Sequence, residues 1–283
     1  MQILDPNAPK PFIKWVGGKR RSLPVLLSYV PDVVDTYVEP FVGGGAMFFA
    51  MKFRRAVIND CNEELICAYK AIRDNLEELK SMLKSFRYDK DMFMEVRSWD
   101  HDPAFRTSRS VVERGARLIY LLKTCFNGLY RVNKKNYFNT PFGKIVKPNY
   151  CDEPALEACH RFLNEKEVEI CCQDYGSLLD EGKIPDNAFV YLDPPYAPLT
   201  QTSSFTSYAT GGWDDEDQAH LRDFCRELDE RGIRFLESNS TAPLCFELYK
   251  EFKISTLDAK RYINSVGSKR GAIKELVITN FEN

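Results

Sequence analysis

Histidine is scarce: His101, His160 and His220 are the only three in 283 residues. They stand far apart and none belongs to a His-Glu-x-x-His segment, so the zinc-hydrolase signature is missing and no metal is expected. Cys-x-x-Cys does not occur, and nine cysteines are an odd number, so neither a structural zinc site nor a disulfide framework is signalled. Reduced, packed thiols are the expectation. No stretch reaches the roughly 18 apolar residues of a membrane span. The opening Met1-Gln2-Ile3-Leu4-Asp5 lacks the regions of a secretory signal, so a cytoplasmic protein with no membrane partner is expected. Repeats and low-complexity tracts are also absent. What remains is an ordinary globular composition, 44% hydrophobic and 28% charged, long enough for one large domain or two modest ones.

A net charge of −2 looks wrong for a polyanion binder, but the charges are segregated. Arg114 to Lys147 holds eight Lys or Arg and no acid, and Lys10 to Arg21 and Lys260 to Lys274 hold five each with none. The balancing acids cluster elsewhere, as in Asp214-Asp215-Glu216-Asp217. Such a run is usually a solvated face, yet three acid-free stretches suit a nucleic-acid track better than scatter.

The apolar runs set the fold. Val34–Val38, Ala56–Asn59, Glu167–Cys172, Ala188–Leu192, Ile233–Glu237, Lys253–Leu257 and Ile273–Thr279 read as strands. After the first comes Glu39-Pro40-Phe41-Val42-Gly43-Gly44-Gly45 and the helix-like Ala46–Met51, the opening unit of a nucleotide-binding α/β fold. Its spacing, F-x-G-x-G, is not the dinucleotide G-x-G-x-x-G. Lys10 to Lys19 carries Gly17-Gly18-Lys19, but Ile13 and Arg20 replace the glycine and hydroxyl residue of an ATP-binding P-loop. Asp60 follows the second strand, where such folds place an acid for ribose hydroxyls. A helix cap, with Glu63 three residues on, is its other reading.

Between these strands and Glu167 lie about a hundred residues with helical periodicity. Leu65, Tyr69, Ile72, Leu76, Leu79 and Leu83 predict one amphipathic helix, and Ser110-x-x-Glu113 is a capping box opening another through Lys123. An insertion of that size reads as a separate lobe, 63–161, within a catalytic part made of 1–62 and 162–283. Its working stretch is Phe126-Asn127-Gly128-Leu129-Tyr130-Arg131, with Asn133 to Asn136 and Thr140-Pro141-Phe142-Gly143-Lys144. An arginine can meet guanine in bidentate fashion, asparagine can reach base edges, and an aromatic can wedge between steps.

Asp193-Pro194-Pro195-Tyr196 follows the Ala188–Leu192 strand, where open sheets do their chemistry. Two prolines stiffen the turn and leave its carbonyls without local partners. A carboxylate, a fixed carbonyl and a tyrosine ring suit a flat ligand with an exocyclic amine: two acceptors for two N–H bonds and a face to stack on. A polyproline turn capped by Asp193 is the plain alternative.

With Lys14-Trp15-Val16-Gly17-Gly18-Lys19, Glu39 to Gly45, Phe126 to Arg131, Asp193 to Tyr196 and Gly267-Ser268-Lys269-Arg270-Gly271 in this order, nearly the whole chain resembles the Dam-like family of DNA adenine N6-methyltransferases, especially those of bacterial GATC restriction–modification systems. The resemblance implies a Rossmann-like, mixed-sheet α/β domain with an inserted, mainly helical target-recognition domain. It implies an S-adenosylmethionine (AdoMet) site at Trp15, Lys19, Asp60 and Asp193, with Phe41, Gly43 and Gly45 lining the pocket and Asp174 near the cofactor adenine. Catalysis would rest on Asp193, Pro194 and Tyr196. In double-stranded GATC, Arg131 would read the first guanine with help from Lys14. Asn127 and Leu129 would lie near the central pairs, and Pro141, Lys269 and Arg270 would add DNA contacts. Phe126 stands where some relatives carry a tyrosine beside the flipped base, so the wedge persists and any hydroxyl bond is lost. A monomer and a restriction endonuclease sharing the site are the expected assembly and partner.

Rival readings are another AdoMet enzyme acting on RNA, on cytosine N4 or on a small molecule, and a DNA-binding relative that has lost catalysis. A nicotinamide dehydrogenase fails on the glycine spacing.

Overall fold

The computed structural model describes residue 5 and residues 8–199, 213–260 and 272–282. Lys269 and Arg270 therefore lie outside the described residues, as does most of the third basic stretch. Seven strands form one mixed sheet: β1 (Thr36–Glu39), β2 (Arg55–Asn59), β3 (Glu167–Cys171), β4 (Ala188–Leu192), β5 (Arg234–Ser240), β6 (Lys253–Lys260) and β7 (Ala272–Thr279), in the order β3-β2-β1-β4-β5-β7-β6. The first five run parallel, and β7 lies antiparallel between β5 and β6. All five residues of β4 are buried, as a strand covered on both faces requires. The strand order reverses direction at the β1–β4 pair, the position at which open sheets of this kind bind their ligands.

Helices cover both faces. Asp215–Glu230 packs with one apolar cluster that includes Val38, Val190 and Phe235. The other cluster runs without a break from Tyr37, Ile58 and Phe189 on the sheet into Leu65, Leu118 and Phe93 of the helical insertion. The insertion therefore shares its apolar interior with the sheet. Among the described residues, no helix is long and apolar enough to cross a membrane.

Two local readings are corrected. The periodicity from Leu65 to Leu83 belongs to two helices, Glu63–Asp74 and Leu76–Ser85. Asn75 between them has φ −136° and ψ 40°, which ends one helix while the apolar phase carries into the next. The cap of the Glu63–Asp74 helix is Asn62, whose side chain accepts from the Leu65 amide, rather than Asp60. The Ser110–Glu113 capping box opens Val111–Thr124 as the sequence predicts, a feature worth about 1 kcal/mol. Of the nine thiols, none of them paired, Cys61 and Cys172 are exposed.

Candidate active site

The Asp193 turn leaves β4 at the reversal point of the sheet, with the glycine loop leaving β1 beside it. Lys19 Nζ lies 2.7 Å from Asp193 Oδ1, and the two side chains are 5% and 18% exposed. The same ammonium donates to the Gly17 carbonyl at 2.8 Å and sits 4.7 Å from the centre of the Tyr196 ring. Burial pushes the Asp193 carboxyl above its ordinary range even though the Lys19 charge pulls it down. The Tyr196 hydroxyl donates to Glu275 Oε2 at 3.3 Å, which tethers the ring to β7. Lys19, which the family resemblance puts with the cofactor, thus touches the turn directly.

Gly43 and Gly45 both have left-handed backbone, φ +48° and +69°. Their missing side chains also matter: a Cβ on Gly43 would stand 2.7 Å from Trp15 Cδ1, and one on Gly45 2.5 Å from the Tyr69 hydroxyl. Trp15 therefore presses against the glycine loop from one side. On its other side the indole stacks with Tyr130 at 5.0 Å and 26°. Asp60 braces the loop from beneath, its Oδ2 accepting from the Gly43 amide at 3.1 Å and its Oδ1 from the Asn62 amide at 2.9 Å. Burial raises Asp60 to about 6 against the pull of those two amides. Each carboxylate oxygen keeps acceptor capacity for a further hydroxyl.

Asn59 carried no signal in the sequence beyond ending a strand. Its Nδ2 donates to the carbonyls of Pro40 and Gln173, both at 3.0 Å, and its Oδ1 accepts from the Gln173 amide at 3.0 Å. One buried amide thus ties the loop after β1 to the loop after β3. Phe41 on the first loop meets Tyr175 on the second at 5.1 Å, and Trp213 edge-on at 5.8 Å. The Trp213 indole N–H is buried and has no partner among the described residues. Asp174 is exposed and caps the Gly176 amide at 2.9 Å. Acidic acceptors and an aromatic cluster gathered at the strand ends fit a nucleoside that carries a positively charged group.

The stretch from Phe126 to Lys144 forms an open hairpin-like loop whose Tyr130 lies against Trp15. Phe126–Gly128 is a short turn in which Asn127 takes φ 58°, and the Phe126 ring is 55% exposed. The Phe126 amide is held by the Pro141 carbonyl at 2.9 Å, and the Leu129 carbonyl accepts from the Thr140 hydroxyl at 2.6 Å. Arg131 is exposed, its guanidinium fixed by Asn139 through Oδ1 at 2.6 Å and the carbonyl at 3.1 Å. Exposed Lys14 runs alongside Gly128.

Not all of the long basic stretch faces solvent. Arg114 is buried and pairs with Glu63 and Glu64 at 2.8 and 2.6 Å. Arg117, 3% exposed, meets Asp100 at 2.6 Å and the carbonyls of Val96 and Arg97. Asp100 also accepts from the Phe138 amide at 2.7 Å, so this pair anchors the loop from Phe126 to Lys144. Burial lowers Lys123 below the ordinary lysine range. The available cations of the stretch are Arg131, Lys134, Lys135, Lys144 and Lys147, all exposed. The sequence could not expose this, because the pairing acids lie up to about fifty residues upstream.

The family pattern for the D12 class N6 adenine-specific DNA methyltransferase matches residues 15–263. The chain is 42% identical over 287 aligned residues, all of both chains, to the type II methyltransferase M1.LlaDCHI of Lactococcus lactis subsp. cremoris. It is 40% identical to the type II methyltransferase M.MjaIII of Methanocaldococcus jannaschii, over 96% of this chain and 99% of that one. To a DNA adenine methylase of Escherichia coli it is 32% identical, over 94% of this chain and 93% of that one.

Proposed function

The chain belongs to the D12 class of N6 adenine-specific DNA methyltransferases, and from that premise we propose that it methylates adenine N6 in double-stranded GATC, using AdoMet and everting the target base. The observation that carries this reading is the stiff Asp193–Tyr196 turn at the reversal of the sheet, its carboxylate gripped by Lys19 at 2.7 Å.

An amine inside a base pair is out of reach, so the adenine must leave the stack at a cost of a few kcal/mol. Tyr196 offers a ring to stack on. The Asp193 carboxylate and the Pro194 carbonyl accept the two N–H bonds of the amine, whose lone pair is otherwise drawn into the purine. These acceptors favour a pyramidal nitrogen and act most strongly as positive charge builds on it, which stabilises the transition state above the ground state. Lys19 holds the carboxylate in place and favours its ionised form. Bound AdoMet supplies an electrophilic methyl on a sulfonium. Asp60, Trp15, Phe41, Gly43, Gly45 and Asp174 would hold it, with Asp60 taking ribose hydroxyls and the Phe41 cluster the adenine.

Residues 63–161 serve as the target-recognition domain in this reading. The likeness of Phe126 to Arg131 to the family's recognition loop supports GATC, with Arg131 and Lys14 on the first guanine, Asn127 and Leu129 at the centre and Phe126 as the wedge. Pro141, Lys269 and Arg270 complete the DNA contacts. Two relatives named type II methyltransferases support a restriction endonuclease sharing the site. A monomer acting in the cytoplasm completes the proposal.

The test is incubation with methyl-labelled AdoMet and duplexes that differ only in the tetranucleotide, followed by identification of the modified base. Label on adenine N6 in GATC alone is expected. Label on cytosine, on RNA, or equally on the scrambled duplex would overturn the reading.

A further inference from the structure

Against the Asp193 turn lies a buried polar network that no motif announces. Gln218 is in the first turns of the Asp215–Glu230 helix, and Glu237, Asn239 and Ser240 are on β5, which pairs with β4. Gln218, Glu237 and Asn239 are each 0% exposed. Uncharged amides buried this deeply must find partners, and here the partners determine which way each amide points.

Asn239 fixes the pattern. Its neighbours on one side are two backbone donors, the amides of Ala197 at 3.2 Å and Ser240 at 2.8 Å, so its oxygen faces them. Its nitrogen is then the donor on the other side, toward Glu237 Oε1 at 2.9 Å and Gln218 Oε1 at 3.0 Å. With its oxygen engaged by Asn239, Gln218 presents its nitrogen to the Pro195 carbonyl at 2.9 Å. The Ser240 hydroxyl closes the ring by donating to the Ala197 carbonyl at 2.6 Å. Every link has one allowed direction of donation. Donation therefore runs outward from Asn239, to Glu237 at one end and through Gln218 to the carbonyl of the second proline at the other.

Prolines stiffen the turn but offer no N–H by which to anchor it. The anchoring falls to the Pro195 carbonyl and to both backbone groups of Ala197, and all three are held by this network.

We propose that Gln218 and Asn239 are positioning residues for methyl transfer, clamping the Pro195 carbonyl and the Ala197 amide so that the Asp193 carboxylate and Pro194 carbonyl stay aimed at the acceptor amine. The proposal rests on the methyltransferase reading of the same turn. Neither side chain touches a substrate, so their effect falls on the geometry of transfer. It does not fall on the affinity for either substrate.

The full-length protein is compared with Gln218→Leu, which removes both polar ends, and with Gln218→Glu assayed at about pH 9, where the ionised carboxylate keeps the acceptor for Asn239 and has no proton to donate to Pro195. Single-turnover methyl transfer is measured with both substrates saturating, together with the dissociation constants of AdoMet and of the cognate duplex. A displaced reacting group costs about a hundredfold in rate, and a loss of that order is expected in both variants, with both dissociation constants within about twofold of the parent. Parental rates in the variants would overturn the proposal. So would a rate loss matched by an equal loss of AdoMet or DNA affinity, which marks a general loosening of the fold. Should Gln218→Leu not fold, Gln218→Glu decides alone. A parent that places no methyl on adenine would refute the functional reading instead, and that result is read separately from the parent control.

Discussion

Replacing Glu237 by glutamine should change how stability depends on pH. The carboxyl is fully buried, and burial raises it from 4.5 to about 7, although hydrogen bonds from Asn239 and Cys225 pull it down. The Cys225 thiol and the Tyr249 phenol are themselves pushed far up by burial and stay protonated throughout. The unfolded chain releases the Glu237 proton near pH 4.5, whereas the folded protein keeps it to about pH 7. Between those values the folded state binds more protons, so stability falls as pH rises through the window. At about 1.4 kcal/mol per pH unit, ionised Glu237 costs the folded state about 3 kcal/mol above pH 7. Glutamine has nearly the same shape, keeps an acceptor for Asn239 and has no charge to lose. Urea unfolding at pH 5 and pH 8 measures the effect, and the advantage of Glu237→Gln should grow by about 2–3 kcal/mol from the first to the second. An advantage independent of pH, or one that shrinks as pH rises, would refute the reasoning.

Asp193→Ala should abolish methyl transfer while the duplex still binds in a gel-shift assay, and near-normal turnover would remove the acceptor role. Lys19→Met leaves the buried Asp193 without its cation, so the acidic limb of kcat/KM should move up by about one pH unit or more; an unmoved limb would show that the pair does not tune the carboxylate. Arg131→Ala should cost about 1–3 kcal/mol of binding and relax discrimination at one base pair. Equal losses on cognate and scrambled DNA would count against base reading. Arg117→Leu strands the Asp100 carboxylate in the interior and should lower stability by about 3–5 kcal/mol in urea unfolding, whereas a change below about 1 kcal/mol would mean the pair is solvated.

The strands were legible because burial on both faces leaves unbroken apolar runs, and Ala188–Leu192 coincides with β4 to the residue. The capping box at Ser110 and the acids at the start of Asp215–Glu230 were legible because caps are local chemistry. Asn75 was not, since an asparagine between two in-phase apolar stretches leaves the periodicity unchanged. Residues set at the end of a strand could be singled out from their motifs: Asp60, Asp193 and the glycines. Those that work by reaching across the chain could not. Asn59 joins loops more than a hundred residues apart, Tyr130 meets Trp15 across a similar gap, and Gln218 finds Pro195 through a helix that looks merely amphipathic.

With the sites placed as proposed, the stacking of Trp15 on Tyr130 would make the two substrates interdependent. One ring is wedged against the glycine loop, and the other is part of the segment proposed to meet DNA. Any strain that duplex engagement placed on Tyr130 would pass through a single indole to the glycine loop proposed to hold the donor. By reciprocity, whatever factor DNA adds to donor affinity the donor must add to DNA affinity. The order in which the two arrive can then alter the path to the ternary complex but not its free energy, and the indole's fluorescence gives a built-in optical gauge of that coupling.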